Sequence, residues 1–453
     1  MSTEGSPLDA WLQEQYRRSV QYMLRSISAT GIVKSRPGFG TTVCAAPGSV
    51  VASPVLGAYD PEPDYFFHWF RDSAVVIDAL RLPYLRGLLG GQAPRLFWEY
   101  VAFSRSLQQL DGGALVAEPA WRARVQPDFA KFLRTDADLA RAHGEAIAGE
   151  TRVNPDATLD ISGWPRPQHD GPATRALALQ RWLALPQLPA QTRAGAEELL
   201  AADLAYARAH WREDCYDIWE EELGLHYYTL CVSAAALAGQ FPADAADIRR
   251  RLDDYWLPDA GHYRSRVLPD GTRSRKELDI APILAAIHAG ASLGGDPGAS
   301  GTSRTGGSPG STPTHADSAP RHGVADPRLH ATLARLTRLF ERTYAINRDR
   351  PPGRGVAMGR YEGDVYYSGG AYYFSTLGAA EFCYRAARSC GDGRWVTQGD
   401  AYLEAVRAHT PAGGELSEQF DRESGAQTSA RHLAWSYAAL ITCAEARWAA
   451  AGP

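Results

Sequence analysis

The sequence predicts an all-α protein, and three observations lead to this fold class. Apolar residues recur at helical spacing through most of the 453 residues. Runs of alternating β-branched residues, which would indicate strands, are nearly absent apart from GSVVASPV at residues 48–55. The connections between the helical stretches are long and rich in aromatic residues, which is typical of a helical scaffold that carries a site on its loops.

The predicted helices follow one another along the chain. The first has Ser6 as its N-cap, with Pro7 and Asp9 in its first turn. Apolar residues then recur at helical spacing. Further helical stretches begin near Ser73, Ala173, Thr192, Tyr227, Pro282, Arg328, Ala371 and Thr428. We predict a single helical domain over residues 1–453.

One segment interrupts the helical pattern. Residues 293–326 are rich in Gly, Ser, Thr and Pro and contain too few apolar residues to bury a core. Helical sequence resumes on both sides of this segment. We therefore interpret it as a flexible insertion within one domain and not as a domain boundary.

Composition and charge exclude several classes of partner. The net charge of −5 does not favour binding to nucleic acid or to an anionic membrane. No apolar run reaches the ~18 residues of a membrane-spanning helix. The first twenty residues lack a basic segment followed by an apolar one, so we expect a cytoplasmic protein without a signal peptide. The oligomeric state stays open.

The six cysteines are spread along the chain without CxxC or Cys/His metal-ligand spacing. They are Cys44, Cys215, Cys231, Cys383, Cys390 and Cys443. We expect free, buried thiols, and we predict no metal site and no cofactor.

Five segments combine carboxylates, arginines and aromatic residues more densely than a solvated helix surface requires. They are PDYFFHWFRDSAVV, ISGWPRPQHDGPATRA, YDIWEEELGLHYYTL, GRYEGDVYYSGGAYYF and ELSEQFDRESGAQTSARHLAWSYAAL. Cleavage of a glycosidic bond needs a protonated acid and a carboxylate beside the anomeric carbon. Apolar neighbours favour a protonated Glu220, whereas Ser417 and Gln419 favour an ionised Glu418. Salt-bridging surface acids remain the alternative on these residues alone.

Taken together, these segments resemble the glucoamylases of glycoside hydrolase family 15. The resemblance runs in the family order from about Gly48 to Ala446. It implies an (α/α)6 barrel, in which an inner ring of helices is surrounded by an outer ring and the loops at one end form the active-site pocket. It also implies an exo-acting hydrolase that inverts the anomeric centre and releases β-D-glucose from the non-reducing ends of α-1,4-glucans or malto-oligosaccharides.

The family motifs assign the catalytic pair. Glu220, directly after Trp219, corresponds to the general acid, and Glu418 of the Ser-Glu-Gln-aromatic motif corresponds to the general base that activates water. An inverting pair should stand ~6.5–9.5 Å apart to hold that water. Glu222, the last of the three consecutive glutamates, is expected to face solvent.

The resemblance also implies the residues of the substrate pocket. Arg71 with Asp72, and Arg360 with Asp364, would bind sugar hydroxyls. Aromatic residues would line the innermost subsite, Trp164 would reach over the leaving-group side, and Glu221 would contact the aglycone sugar. The complete substrate-binding set is Tyr65, Trp69, Arg71, Asp72, Trp164, Ile218, Trp219, Glu221, Arg360, Tyr361, Asp364, Tyr366 and Tyr372.

Three departures from the family pattern leave chain-length and linkage preference open. Asp160 replaces a tyrosine, Tyr372 stands at a tryptophan-or-aromatic position, and residues 279–282 read Asp-Ile-Ala-Pro where the family has Asp-Ala-Asn-Thr. An α-1,6-glucosidase of the isomaltose or dextran type, or a trehalase, is therefore an alternative. A non-catalytic glucan-binding regulatory protein is the alternative from a different class. Zinc-dependent cyclases on the same barrel would require Cys/His clusters, which the spacing does not show.

Overall fold

The computed structural model describes residues 6–57, 62–290 and 321–451 of the chain. The α-helices in these ranges are α1 (Pro7–Leu24), α2 (Phe70–Leu85), α3 (Gln92–Ser106), α4 (Gly112–Ala117), α5 (Asp136–Arg141), α6 (Asp170–Leu183), α7 (Ala190–His210), α8 (Tyr227–Leu237), α9 (Pro242–Asp253), α10 (Ala281–Ala289), α11 (Pro327–Thr343), α12 (Tyr373–Cys390), α13 (Arg394–Ala408) and α14 (Ala434–Ala450).

Six of these helices form a closed inner ring. Helices α2, α6, α8, α10, α12 and α14 each pack against the next, and α14 returns to α2. Every residue of α8 is buried, as expected for a helix that is apolar on all sides. The ring is the inner layer of an (α/α)6 barrel, which confirms the predicted fold class.

The outer layer consists of amphipathic helices that bury one side only. Helix α9, for example, buries Ala245, Ile248 and Leu252, which lie on one face. Helices α3, α7, α9, α11 and α13 each follow an inner helix along the chain and pack beside it. The outer partner of α14 is α1, the first helix of the chain.

The contact between α1 and α14 combines apolar and polar groups. The hydroxyl of Tyr16 donates a hydrogen bond of 2.7 Å to Glu445, and the Tyr16 ring lies 5.0 Å from that of Trp448. A capping box between Ser6 and Asp9 starts α1, as predicted for this N-terminus. Residues far apart in sequence therefore complete the barrel.

Short antiparallel strands bind the connections together. They are β1 (Val33–Arg36), β2 (Thr41–Cys44), β3 (His68–Trp69), β4 (Arg152–Val153), β5 (Cys215–Tyr216), β6 (Leu223–His226), β7 (Trp256–Leu257), β8 (His262–Tyr263), β9 (Arg266–Val267), β10 (Ala371–Tyr372), β11 (Gln419–Phe420) and β12 (Gln427–Thr428). Within the described ranges they pair as β1–β2, β3–β4, β5–β6–β9, β7–β8 and β10–β11–β12. Strands β3, β6 and β10 end where α2, α8 and α12 begin.

The two ends of the barrel differ in the length of their connections. The connections that leave α2, α6, α8 and α12 are short, such as residues 184–189 and 391–393, whereas the one that leaves α10 spans residues 290–326. Those that lead back into inner helices are long, such as residues 344–372 and 409–433. The long connections and their strands therefore lie at the N-terminal ends of the inner helices, where the loops can build a site.

Several boundaries differ from the sequence predictions. Helix α8 begins at Tyr227 as predicted, but the predicted start near Thr428 is wrong, because Thr428 pairs in β12 and α14 begins at Ala434. Helices α3, α9 and α13 were not predicted; in α9 the buried apolar stripe is only three residues wide. The stretch GSVVASPV contributes only an isolated bridge between Val50 and Ile27.

The predicted flexible insertion falls only partly within the described residues. Residues 293–320 lie outside them. Residues 321–326 are packed: His322 is buried against the rings of Tyr227 and Tyr263, and Asp326 caps α11 by accepting from the amide of Arg328. All six cysteines are free thiols, as predicted, but Cys44 and Cys390 are exposed, whereas buried thiols were expected. No helix in the described ranges combines the length and apolarity needed to span a bilayer.

Candidate active site

A cavity lies at the N-terminal ends of the inner helices. Nine of the predicted site residues line it, namely Tyr65, Trp69, Arg71, Asp72, Ile218, Trp219, Glu220, Arg360 and Glu418. The remaining six, Trp164, Glu221, Tyr361, Asp364, Tyr366 and Tyr372, contact members of this set. Both candidate catalytic glutamates therefore face one cavity although they are remote in sequence.

Glu220 is held in place by groups from three connections. Its backbone adopts a left-handed conformation (φ 64°) that closes a turn, with its amide 2.9 Å from the carbonyl of Asp217. The indole of Trp69 donates to Glu220 Oε1 at 2.8 Å, and the indole of Trp164 donates to Oε2. The side chain is 11 % exposed. Two indole donors thus fix the direction in which this carboxyl points.

Glu418 lies between two strands and is more deeply enclosed. Its carboxylate accepts hydrogen bonds from the hydroxyls of Tyr65, at 3.3 Å, and Ser429. Burial raises the pKa of Glu418 to about 7, against the lowering effect of Ser429, Arg360 and Tyr65. The polar sequence neighbours therefore do not give Glu418 the pKa of an ordinary solvated carboxylate.

The side chains next to Glu418 in the sequence point away from its carboxylate. The hydroxyl of Ser417 donates to the carbonyl of Gln419, and the Gln419 amide donates to Tyr372 and to the carbonyl of Tyr366. Neither side chain contacts the Glu418 carboxylate. The polar contacts come from Ser429, across the β11–β12 hairpin, and from Tyr65, neither of which adjoins Glu418 in sequence.

Arg71 and Asp72 begin α2 beside the catalytic acid. Arg71 is buried and lies 3.2 Å from Asp170, 3.3 Å from Asp72 and 3.4 Å from Glu220. Burial raises the pKa of Asp72 to about 6, partly offset by Arg71. Asp72 Oδ2 forms no hydrogen bond with the described residues, but it is paired with the Arg71 guanidinium at 3.3 Å.

Arg360 and Asp364 form a second polar set. They pair through two bonds of 2.7 and 2.6 Å, the planar arrangement that gives this pair its directionality. The Arg360 guanidinium also lies 5.2 Å from the ring of Trp219 and 5.1 Å from that of Tyr372. Tyr366 shares a hydrogen bond of 2.7 Å with Tyr65 and so joins this set to the innermost aromatic wall.

Glu221 and Glu222 differ from Glu220 in their partners. Glu221 is bound by Arg360 at 3.1 Å, by Lys276 at 2.7 Å and by the hydroxyl of Tyr361. Its contact with a sugar stays a prediction. The prediction that Glu222 faces solvent is wrong, because it accepts from Arg266 at 2.9 Å and from Ser274 and is only 26 % exposed.

A buried ion network supports the loop that carries the acid. Arg266 in β9 lies 2.7 Å from Asp217 and 2.6 Å from Asp279. The indole of Trp219 donates to Asp279 at 2.8 Å, and burial raises the pKa of Asp279 to about 7. Asp279, which the family stretch shares at its first position, therefore holds Trp219 beside Glu220.

Asp160, which replaces a family tyrosine, lies behind Trp164. Arg152 stacks on the Trp164 ring at 3.7 Å and donates to Asp160 at 2.9 Å. Burial would raise the pKa of Asp160, but Arg152 and Arg166 lower it to about 2. Asp160 thus supports Trp164 through Arg152 and does not reach the cavity.

Sequence reasoning missed several residues of the site. Phe374, Leu433, Trp435 and Ala52 line the cavity, and Asp170, Arg266, Lys276 and Ser429 hold its predicted residues. Asp170, Phe374, Ser429 and Trp435 occur in the aromatic- and carboxylate-rich segments, which was the available signal. Arg266 and Lys276 lie in a stretch without such a signal.

A larger cavity lies between the β1–β2 hairpin and residues 110–124 and 154–162. Its aspartates are already engaged: Asp111 accepts from the Gly113 amide, Asp156 from Thr158 and Asp160 from Arg152. It contains neither candidate catalytic glutamate. The smaller cavity is therefore the candidate active site, because paired carboxylates and not volume decide the chemistry.

Comparison with known proteins gives consistent matches over the length of the chain. The family model for glycosyl hydrolases family 15 matches residues 18–397 and 393–445. Glucoamylase 1 of Rhizopus oryzae is 25 % identical, with 98 % of this chain and 72 % of that protein covered. A probable glucoamylase of Schizosaccharomyces pombe is 25 % identical, with 100 % of this chain and 94 % of that protein covered. The solved structure of Hormoconis resinae glucoamylase superposes with a TM-score of 0.73 at 25 % identity, covering 97 % of this chain and 74 % of that one.

Proposed function

This chain belongs to glycosyl hydrolase family 15, and we propose that it is an exo-acting, inverting enzyme that releases β-D-glucose from the non-reducing ends of α-1,4-glucans or malto-oligosaccharides. The activity is that of a glucan 1,4-α-glucosidase. The observation that carries the proposal is the presence of Glu220 and Glu418 in one cavity, beside the Arg71–Asp72 pair. The similarity to glucoamylases from several fungi supports the same activity.

In the proposed mechanism the two carboxyl groups act on opposite sides of the scissile bond. Glu220 donates its proton to the glycosidic oxygen as the bond to the anomeric carbon breaks. Glu418 takes a proton from a water molecule whose oxygen attacks that carbon from the other face. The products are β-D-glucose and a shortened glucan, with Glu220 ionised and Glu418 protonated until a proton returns from Glu418 to Glu220 through solvent.

The donors around Glu220 suit this role. The indoles of Trp69 and Trp164 orient its carboxyl group, and Arg71 lies 3.4 Å from Oε1, where it stabilises the carboxylate that remains after proton transfer. For Glu418, the Ser429 and Tyr65 hydroxyls favour the ionised form that a base requires, although burial opposes them.

The shape of the cavity supports attack at chain ends. Phe374 and Trp435 stack at 4.3 Å with their planes 8° apart, and both line the cavity. Behind them lies a small cavity among the inner helices, lined by residues such as Leu177, Leu284 and His288. A glucan would enter by its terminal residue, whose hydroxyls would meet the Arg71–Asp72 and Arg360–Asp364 pairs.

The test is hydrolysis of maltotriose with the anomer of the first released glucose followed by NMR. We expect β-D-glucose from the native protein and no release from Glu220→Gln or Glu418→Gln. Glu423→Gln is the matched control, because Glu423 is an exposed glutamate on the same hairpin as Glu418. Release of α-D-glucose would overturn the inverting mechanism.

The same assay separates the alternatives. Faster hydrolysis of isomaltose than of maltose would assign an α-1,6-glucosidase, and preference for trehalose would assign a trehalase. Binding of malto-oligosaccharides with no glucose release from any α-glucoside would assign a non-catalytic glucan-binding protein. The linkage is the open part of the proposal, because the departures at Asp160, Tyr372 and residues 279–282 lie around the cavity and not at the two glutamates.

A further inference from the structure

Three side chains with metal-binding atoms meet where α7 ends and α6 begins. His169 immediately precedes α6, His210 is the last residue of α7, and Glu213 follows it by three residues. One ring nitrogen of each histidine and one carboxylate oxygen of Glu213 lie within 4.8 Å of one another. None of the three lines the candidate active site.

The two histidines have ring nitrogens without a partner. His169 is only 3 % exposed, and its Nε2 atom is buried without a hydrogen bond. His210 Nε2 is in the same condition. The rings stack with centroids 5.3 Å apart and planes 23° apart. Two buried, unsatisfied nitrogens in neighbouring rings are unfavourable unless a ligand satisfies them.

Of the two Nε2 atoms, only that of His169 can belong to the ligand set, because Glu213 lies on the Nδ1 side of the His210 ring. His169 Nδ1 lies 2.9 Å from the hydroxyl of Tyr206, and His210 Nδ1 lies 2.8 Å from Glu213. A hydrogen bond at one ring nitrogen fixes the ring and its tautomer in most metal-binding histidines.

We propose that His169, His210 and Glu213 bind one divalent transition-metal ion of the zinc type, which joins the C-terminal end of α7 to the N-terminal end of α6. Two imidazoles and one carboxylate match the ligand preference of Zn²⁺. The ion would be held by His169 Nε2, His210 Nδ1 and the Glu213 carboxylate, and it would replace the proton that His210 Nδ1 and Glu213 share. Tetrahedral bonds of about 2.0–2.2 Å would bring these atoms to roughly 3.5 Å of one another. The side chain of Glu213 is 58 % exposed, so it is free to move and leaves the fourth position open to water.

The site lies at the base of the loop that carries Glu220. The amide of Tyr216 donates to the carbonyl of Pro167 at 2.9 Å, and the Gln168 side chain donates to the carbonyl of Asp217 at 2.6 Å. A metal ion at His169 and His210 therefore adds a third link between the same two segments. This inference stands apart from the proposed hydrolase activity, since all contacts of the cavity exist without the ion.

The spacing of the sequence could not reveal this site. His210 and Glu213 are three residues apart, but His169 is brought to them by the packing of α6 against α7. The sequence prediction of no metal site rested on clusters within single stretches, which the fold does not require.

The test is titration of the full-length, chelator-treated protein with ZnCl₂ by calorimetry, together with thermal unfolding with and without zinc. We expect one zinc ion per chain and a higher unfolding temperature in its presence. His210→Ala should weaken binding by at least about 10-fold and remove the thermal shift. Glu213→Gln, at an exposed position that folding does not require, should weaken binding in the same direction.

The matched control is Asp253→Asn. Asp253 lies 3.3 Å from His322 and forms a histidine–carboxylate pair outside the proposed site. This variant should bind zinc like the native protein. Absence of zinc binding, or equal affinity in the native, His210→Ala and Glu213→Gln proteins, would overturn the proposal; the second result would place the ion elsewhere, for example on the carboxylates of the cavity.

Discussion

The two candidate catalytic carboxylates face the same cavity but are held by different kinds of groups. Glu220 lies on a left-handed turn, and its oxygens accept from the indoles of Trp69 and Trp164. Glu418 lies at the start of a strand, and its oxygens accept from the hydroxyls of Tyr65 and Ser429. Indoles donate only, whereas hydroxyls donate or accept. The Glu418 side can therefore adapt to either protonation state, and the Glu220 side mainly fixes direction.

This comparison assigns different consequences to equivalent substitutions. Changes at the partners of Glu220 should alter the rate through orientation. Changes at the partners of Glu418 should alter the pH at which the enzyme works.

The largest expected effect is the loss of either carboxyl group. Glu418→Gln should lower kcat by about 10³-fold or more, because the amide cannot accept the proton of the attacking water. Substrate binding, measured by calorimetry with maltose, should be retained. Glu423→Gln serves as the control and should keep native activity. More than a few per cent of residual activity in Glu418→Gln would contradict its assignment as the base.

Glu220→Gln should be equally inactive on maltose but should lose less on glucosyl fluoride. Fluoride leaves without protonation, so the general acid is dispensable for that substrate. Parallel kcat measurements on both substrates test this difference. An equal loss on both would show that Glu220 acts in some other way.

Trp164→Phe should have the next largest effect. It removes the indole donor to Glu220 Oε2 while it retains an aromatic ring on Arg152. A hydrogen bond to a charged group contributes about 1.5–3 kcal/mol, so kcat should fall about 10- to 100-fold. Trp121→Phe is the control, because the Trp121 indole donates to the carbonyl of Leu115 away from the cavity. A decrease of less than 2-fold would show that orientation by the indole is unimportant.

Ser429→Ala should move the pH dependence while it has a smaller effect on the maximal rate. The base must be ionised, so kcat/KM should fall as the pH drops through the pKa of Glu418, which is about 7 in the free site. The Ser429 hydroxyl stabilises the ionised form, so its removal should raise this pKa and shift the acidic limb upward by about 0.5–1 unit.

The control for this shift is Ser424→Ala, at an exposed serine on the same hairpin that bonds to Asp421. Its pH profile should match that of the native protein. A downward shift of the acidic limb in Ser429→Ala would reverse the sign that the structure predicts.

Arg152→Lys should have the smallest effect. An ammonium group cannot reproduce the planar stack on Trp164 together with the bonds to Asp160 and Ser162. We expect a decrease of a few-fold in kcat/KM for maltotriose with little change in KM, since Arg152 acts on Glu220 through the rings of Trp164 and Trp69. A selective rise in KM would instead indicate a direct contact with substrate.

Much of the candidate site could be predicted because its residues occur in unusual local motifs. Trp219 followed by Glu220, and the Ser-Glu-Gln stretch around Glu418, are recognisable without any structure. The groups that hold these residues are different in kind. Ser429 reaches Glu418 across a hairpin, and Asp279 reaches Trp219 across the barrel end. Neither contact can therefore be predicted from residues that are adjacent in the sequence.

The same distinction applies to the fold. The start of α8, which is apolar on all sides, was predicted to the residue, whereas α9, which buries a narrow stripe, was missed. The raised pKa of Glu418 was not predicted for a related reason. Its sequence neighbours are polar, but burial is decided by the elements that close over it, and these come from the whole ring.

The pairing of α1 with α14 has a consequence for how the enzyme is made. The barrel cannot close until α14 has been synthesised. The face of α1 that packs against α14 therefore has no partner through most of synthesis. Until then the inner ring has only five of its six helices. We therefore expect the chain to become catalytically active only after α14 has been synthesised and packed.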